Sequence, residues 1–256
     1  MMVNATPAWK LVWQDDFKGP EGSPPDASRW HHDVGGDGWG NHELEYYTDR
    51  PDNAHVRDGH LEIVARRESF VGQPFTSARL QTAQTFSQAY GRFEARIQIP
   101  PGEGMWPAFW LLGNDIDKKG WPGCGEIDVM ENVGQEPSTI HGSMHGPGYS
   151  GDKCLGAPFK LPDGQKFSDD YHDFAVEWKP GSVQYFVDGQ SYQTLTPQNL
   201  PPGQKWVFDH PFFIILNLAV GGDWPGPPDD KTPFPASMKV QYVRVYEPAT
   251  GAAPRS

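Results

Sequence analysis

Apolar and polar residues alternate with a period of two through much of the chain. Phe93, Ala95, Ile97 and Ile99 alternate with Arg92, Glu94, Arg96 and Gln98, the pattern of a strand with one buried face. Leu61, Ile63 and Ala65 repeat it after an Asp58-Gly59 turn. Phe174 to Trp178, a Lys179-Pro180-Gly181 turn and Val183 to Val187 predict a hairpin, and Asp188-Gly189 turns the chain into the next short strand. Phe212 to Val220 is apolar throughout except for Asn217, which predicts a strand covered on both faces. Val240 to Tyr246 predicts one more strand. No segment carries a helical period, so many short strands separated by Gly/Pro turns predict an all-β sandwich.

Length keeps that picture to one domain: 256 residues with no internal repeat suit a single large β fold. Pro201-Pro202-Gly203, Pro225 to Pro228 and Pro233-Phe234-Pro235 read as loops within it. We expect one domain over residues 1–247 and a small, polar tail or truncated linker over 248–256. No apolar run approaches the ~20 residues that span a bilayer. A net charge of −12 repels nucleic acid and sulfated or carboxylated polysaccharides, and leaves neutral glycans open as partners. Ten Trp, nine Tyr and fourteen Phe suit both a sandwich core and sugar-stacking surfaces. Cys124 and Cys154 are the only cysteines; one bridge or two free thiols are both open. Met1-Met2-Val3-Asn4 has neither the charge nor the apolar stretch of a signal peptide.

The segment Cys124-Gly125-Glu126-Ile127-Asp128-Val129-Met130-Glu131-Asn132 carries the candidate chemistry. Ile127 and Val129 favour a strand. On a regular strand Glu126, Asp128 and Met130 share one face and Glu131 takes the other. A one-residue bulge near Val129-Met130 would bring Glu131 onto the face of Glu126 and Asp128. Crowded carboxyls disfavour ionisation, and a retaining glycosidase uses such crowding: one carboxylate attacks while its partner, about 5–5.5 Å away, stays protonated to assist the leaving oxygen. Side chains so far apart along the strand converge only over a curved face. Taken alone, three acids also fit a solvated strand face.

The flanking residues carry a resemblance. Met105-Trp106-Pro107-Ala108-Phe109-Trp110-Leu111-Leu112 and Gly120-Trp121-Pro122 precede the acids. Gly38-Trp39-Gly40-Asn41 with Glu43 and Tyr46-Tyr47, Thr76-Ser77-Ala78-Arg79, His141-Gly142-Ser143-Met144-His145-Gly146 and Gly221-Gly222-Asp223-Trp224-Pro225 surround them. From about Leu11 to Glu247 the chain resembles glycoside hydrolase family 16, in its laminarinase type. The resemblance implies a β-jelly-roll sandwich of two curved antiparallel sheets (concanavalin A-like), with a substrate cleft on the concave face. It implies a retaining endo-β-1,3-glucanase, secreted and monomeric, that acts on β-glucan by double displacement and takes mixed-linkage β-1,3-1,4-glucan as a side substrate. Glu126 matches the nucleophile, Glu131 the general acid/base and Asp128 the residue between them. His145 matches a residue beside the acid/base, with a structural histidine as its alternative; His141 is a weaker candidate. Trp110, Trp121 and Trp224, with Trp106 less firmly, match subsite tryptophans, while Trp178 inside an alternating strand reads as core. Asn41 and Arg79 match donors to glucose hydroxyls, a surface ion pair being the alternative for Arg79. Catalysis needs no cofactor. The family's structural calcium falls near Asp16, where Glu is usual, and Gln241, where Asp is usual; fewer charged oxygens weaken such a site. Asp223 stands where Asn is more usual. Rival readings are an agarase or lichenase on the same scaffold, or a non-catalytic glucan-binding protein.

Overall fold

The computed structural model describes residues 9–249. Its strands are β1 (Trp9–Asp15), β2 (His31–Asp33), β3 (Glu45–Tyr47), β4 (Ala54–Arg57), β5 (His60–Phe70), β6 (Gln73–Ser77), β7 (Arg79–Gln81), β8 (Gly91–Gln98) and β9 (Met105–Gly113). The series continues with β10 (Glu126–Glu131), β11 (Thr139–His145), β12 (Leu155–Lys160), β13 (His172–Lys179), β14 (Ser182–Val187), β15 (Gln190–Leu195), β16 (Phe212–Val220) and β17 (Ala236–Pro248). Ten of them form one sheet with the path β15-β14-β13-β8-β17-β5-β6-β3, to which β1 adds at β17 and β4 at β5. Seven form the other, in the order β12-β11-β10-β9-β16-β7-β2. Sequence-distant strands lie side by side in both, as in a jelly roll.

The period-two pattern has its expected cause. On β8, Phe93, Ala95 and Ile97 are buried while Arg92, Glu94 and Arg96 are partly exposed. With Phe174, Val176 and Trp178 of β13 they pack against Phe109 and Leu111 of β9, Ile127 of β10 and Ile214, Leu216 and Leu218 of β16 in one continuous core. Phe212–Val220 is buried along its whole length, as its unbroken apolar run requires. The turns Asp58-Gly59 and Asp188-Gly189 place both residues at positive φ (48° and 74°, 49° and 76°), the type I′ geometry whose twist matches a hairpin.

Three expectations change. The pairing is not wholly antiparallel, because β3 runs parallel to β6. β5 is buried on both faces from His60 to Ala65, since its outward Glu62 is closed over by His55, His60 and Arg57. Pro248, expected in the tail, ends β17 opposite Trp9; residues 250–256 lie outside the described residues. Phe109 is fully buried opposite Met130. Phe109→Ala is expected to cost about 3–5 kcal/mol of unfolding free energy, read from urea denaturation.

Candidate active site

The site face of the seven-stranded sheet is set by a bulge in β10. Against β11, Asp128 pairs with Ser143 and Glu131 with His141; against β9, Asp128 pairs with Trp110 and Glu131 with Ala108. Three residues of β10 thus advance where each neighbour advances two. The extra residue lets two successive side chains, Val129 and Met130, enter the core, both essentially buried. Glu126, Asp128 and Glu131 then align with Leu112, Trp110 and Ala108 on one side and His145, Ser143 and His141 on the other. A regular strand would instead place Met130 over the site and force the Glu131 carboxyl into hydrocarbon, where an unpaired charge is far too costly.

Each acid meets a polar partner. Asp128 is 2% exposed and accepts from Ser143 Oγ at 2.6 Å, with His145 Nε2 at 3.0 Å. His145 Nε2 lies 3.8 Å from Glu126 Oε1, and its Nδ1 accepts the Gly151 amide at 3.1 Å, which assigns the ring proton to Nε2. Trp121 Nε1 donates to Glu126 Oε2 at 2.7 Å, and Trp106 Nε1 donates to Glu131 Oε1 at 3.0 Å. His145 therefore sits opposite Glu126, not beside Glu131 as expected; the residue opposite Glu131 is His141.

Burial, and next the Asp128 carboxylate, raise Glu126 well above the ordinary carboxylate value and Glu131 to about 8. Burial opposes the charged ring of His145, but Asp128 and the two glutamates more than offset it and bring His145 to about 9. Adding a proton at Nδ1 means losing the Gly151 contact.

Two tryptophans flank the acids from loops: Trp121 is 50% exposed and Trp224 40% exposed. Trp224 meets Trp106 edge to face at 5.7 Å and the His141 ring at 5.0 Å, while Glu136 holds His141 Nε2 at 2.8 Å. Farther along the sheet, Trp110 donates to Asn217 Oδ1 at 2.7 Å. Arg79 makes the ion pair that is its alternative reading. Its Nε bonds Asp33 at 2.9 Å, and its guanidinium lies 4.8 Å from the ring centroids of both Trp39 and Trp110. Asn41 stands in the 38–44 loop, with its carbonyl accepting the Asp223 amide at 2.8 Å. Trp178 is core, as expected. Sequence reasoning gives Asp33, Tyr47, Ser143 and Asn217 no role at the site. Asn217 has a signal, as the polar break in an apolar strand, and Ser143 sits between two candidate histidines on one strand face.

Cys124 and Cys154 are free, and burial pushes each thiol up to about 11, so both stay protonated and unreactive at neutral pH. Cys124 packs with Leu112, Phe213 and Ile215 at one end of the site face, apart from the main core. Asp16 and Gln241 do not fit a calcium ion. Asp16 Oδ1 is bound by Arg244 at 2.8 Å, Gln241 Oε1 accepts from Arg96 at 2.9 Å, and among the described residues Asp16 joins no cluster of metal-ligating side chains. A guanidinium already neutralises the one carboxylate that a hard cation would need.

Comparison with known proteins agrees with this geometry. Residues 41–244 match the family described as Glycosyl hydrolases family 16. A β-glucanase of Rhodothermus marinus is 43% identical over 94% of this chain and 86% of its own length. A glucan endo-1,3-β-glucosidase A1 of Niallia circulans is 37% identical over 93% of this chain, which spans 38% of that longer protein. Among solved structures, the endo-β-1,3-glucanase of Pyrococcus furiosus superposes with a TM-score of 0.89 at 47% identity, covering 93% of this chain and 94% of that one. The catalytic domain of a Thermotoga petrophila laminarinase does so with a TM-score of 0.90 at 46% identity, covering 95% of this chain and all of that one. With that breadth of match, and the bulged carboxylate strand at its centre, the chain belongs to glycosyl hydrolases family 16.

Proposed function

We propose that this chain is a retaining endo-β-1,3-glucanase, with Glu126 as nucleophile and Glu131 as general acid/base. The observation that carries the reading is the β10 bulge, which puts Glu131 on the face of Glu126. Relatives named for β-1,3-glucan hydrolysis support the substrate, and the chain's negative charge disfavours anionic glycans.

In the first step Glu126 Oε1 attacks the anomeric carbon while the Trp121 indole holds Oε2. The glycosidic C–O bond breaks, and the proton of Glu131 passes to the departing oxygen. In the second step the Glu131 carboxylate takes a proton from water, the water oxygen attacks the anomeric carbon, and the ester to Glu126 breaks. Burial, and next the Asp128 carboxylate, raise Glu131 to about 8, so the proton needed for the first step is available on Glu131 near neutral pH. Glu126 must react as the carboxylate; its Oε2 accepts from the Trp121 indole, and His145 Nε2 stands 3.8 Å from its Oε1. Two carboxyls and water complete the chemistry, with no step that calls for a metal. Trp224, Trp106, Trp110, Asn41 and Arg79 supply the stacking faces and hydrogen bonds that hold glucose units along the sheet.

The test is reducing-sugar release from laminarin, with proton NMR of the first product. Wild type is expected to release β-anomeric ends; no hydrolysis, or α-anomeric ends first, would refute the assignment. Lichenan and agarose as parallel substrates decide between the glucanase and the rival hydrolases. Glu126→Ala is expected to abolish hydrolysis. Glu131→Ala is expected to lose about 10²–10⁴-fold on laminarin and far less in the first step on an aryl glucoside whose leaving group needs no proton.

The pH profile gives a further prediction. Activity requires a protonated Glu131, so it falls as pH rises through about 8. Asp128→Asn removes a charge that raises Glu131, and the alkaline limb of kcat/KM is expected to move down by roughly one pH unit. An alkaline limb left in place would show that Asp128 does not set the proton on Glu131.

A further inference from the structure

A second pair of carboxyls lies behind the wall of the site, and the reaction just described does not use it. Glu45, the first residue of β3, is 0% exposed, and Glu43, at the end of the preceding loop, is 7% exposed. Glu45 Oε2 accepts the Val220 amide at 2.7 Å, and its Oε1 has no hydrogen-bond partner among the described residues. Glu43 is fully engaged. Its Oε1 accepts from Asn41 Nδ2 at 3.0 Å and its Oε2 accepts from Tyr47 Oη at 3.0 Å.

The direction of these bonds can be read outward from a group that has no choice. An indole N–H only donates, so Trp110 Nε1 fixes Asn217 Oδ1 as its acceptor. Asn217 Nδ2 must then donate to Tyr47 Oη, 3.2 Å away. With that lone pair occupied, the Tyr47 hydroxyl proton points to Glu43. Asn41 Nδ2 donates to Glu43 from the other side, with the Trp39 carbonyl at 3.5 Å for its second hydrogen. Every donor in the chain converges on Glu43, which therefore takes the ionised, acceptor-only role. Two adjacent buried carboxylates cannot both be charged without a large cost, so the proton of the pair belongs to Glu45. Burial, then the Glu43 charge, push Glu45 in that direction.

We propose that Glu43 and Glu45 share one proton, held on Glu45, and that Glu43 is a positioning residue for substrate. It orients the Asn41 amide with Oδ1 left to accept from a sugar hydroxyl, and through Tyr47 and Asn217 it holds the Trp110 ring against Arg79. The consequence for specificity is that Asn41 selects a hydroxyl donor. The side-chain hydrogen bonds of Glu126 and Glu131 go to Trp121 and Trp106, outside this network, so the effect falls on binding more than on turnover. The inference rests on the glucanase reading for its ligand and not for its proton.

Two measurements on the full chain test it. The first is kinetics on laminarin. Glu43→Gln, which turns an acceptor into a donor facing Asn41 or Tyr47, is expected to raise KM roughly 5- to 100-fold, the equivalent of about 1–3 kcal/mol, with kcat within twofold. Tyr47→Phe, which removes one oxygen without changing shape, is expected to raise KM in the same sense, and Glu45→Gln, which mimics the protonated acid, to leave both constants within twofold. The second is infrared spectroscopy at neutral pH. The wild type is expected to show the stretch of a buried protonated carboxyl that Glu45→Gln lacks and Tyr47→Phe keeps. A KM unmoved in Glu43→Gln and Tyr47→Phe, or Glu45→Gln as damaging as Glu43→Gln, overturns the positioning role. Absence of the Glu45 band overturns the shared proton. Wild-type protein inactive on every glucan refutes the glucanase reading, and the infrared result still decides the proton.

Discussion

The burial of two consecutive apolar side chains, Val129 and Met130, is the constraint from which the active site follows. Strict alternation along β10 would bury one and expose the other. Both are in the core, and each gains roughly 1.5–3 kcal/mol from complete burial. The backbone accommodates them with one extra residue, and that residue moves Glu131 from the core side to the side of Glu126 and Asp128. The arrangement of the acids is thus held by hydrophobic packing beneath them, against Phe109 on the neighbouring strand. Nothing in the acids themselves would keep three carboxyls together; their mutual repulsion favours separation.

Polar groups organise what packing has gathered, and they do so in two connected sets. The first surrounds the acids: Ser143 and His145 satisfy Asp128, Trp121 holds Glu126 and Trp106 holds Glu131. The second runs from Trp110 through Asn217 and Tyr47 to Glu43 and Asn41. They meet where the 38–44 loop docks on the end of β16: Leu44 donates to the Val220 carbonyl, and Val220 and Ala219 lie opposite Met105 and Trp106. Gly222 sits at φ 117°, which L side chains rarely adopt, and a Cβ there would lie 3.1 Å from the Asn41 carbonyl and in contact with the Trp106 ring, so the junction favours glycine. The wall that binds sugar and the indole that holds the acid/base are fixed to the same few residues.

Much of this is legible in the amino-acid sequence. Alternating burial on β8, the doubly covered β16 and the type I′ turns follow from local rules of side-chain period and turn chemistry. The bulge is legible for the same reason, because Val129-Met130 breaks the alternation that the acids require. Less local features are not. The parallel pairing of β3 with β6 depends on where a loop returns to the sheet, and no periodicity reports it. His145 is expected beside Glu131 and pairs with Glu126, because no local pattern reports which residues two strands set opposite each other. Glu43 and Glu45 show the same limit. Two glutamates at alternate positions carry no local mark of burial, and only the tertiary fold encloses them together.

The site also weakens the fold that carries it. A carboxyl whose pKa rises from 4.5 in the unfolded chain to about 8 in the folded one binds more protons folded than unfolded between those values. Stability therefore falls as pH rises through that window, and near neutral pH the protein keeps its acids at a cost in folding free energy. The remedy is placement. β10 is paired on both edges, to β9 and β11, with the largest continuous part of the core directly beneath it. An edge strand could relieve the strain by local opening, which would release the proton on Glu131 and scatter the acids. A central strand cannot open without breaking two ladders at once. The raised pKa that general acid chemistry needs is sustainable because the surrounding sheet makes separation of the acids more costly than their repulsion.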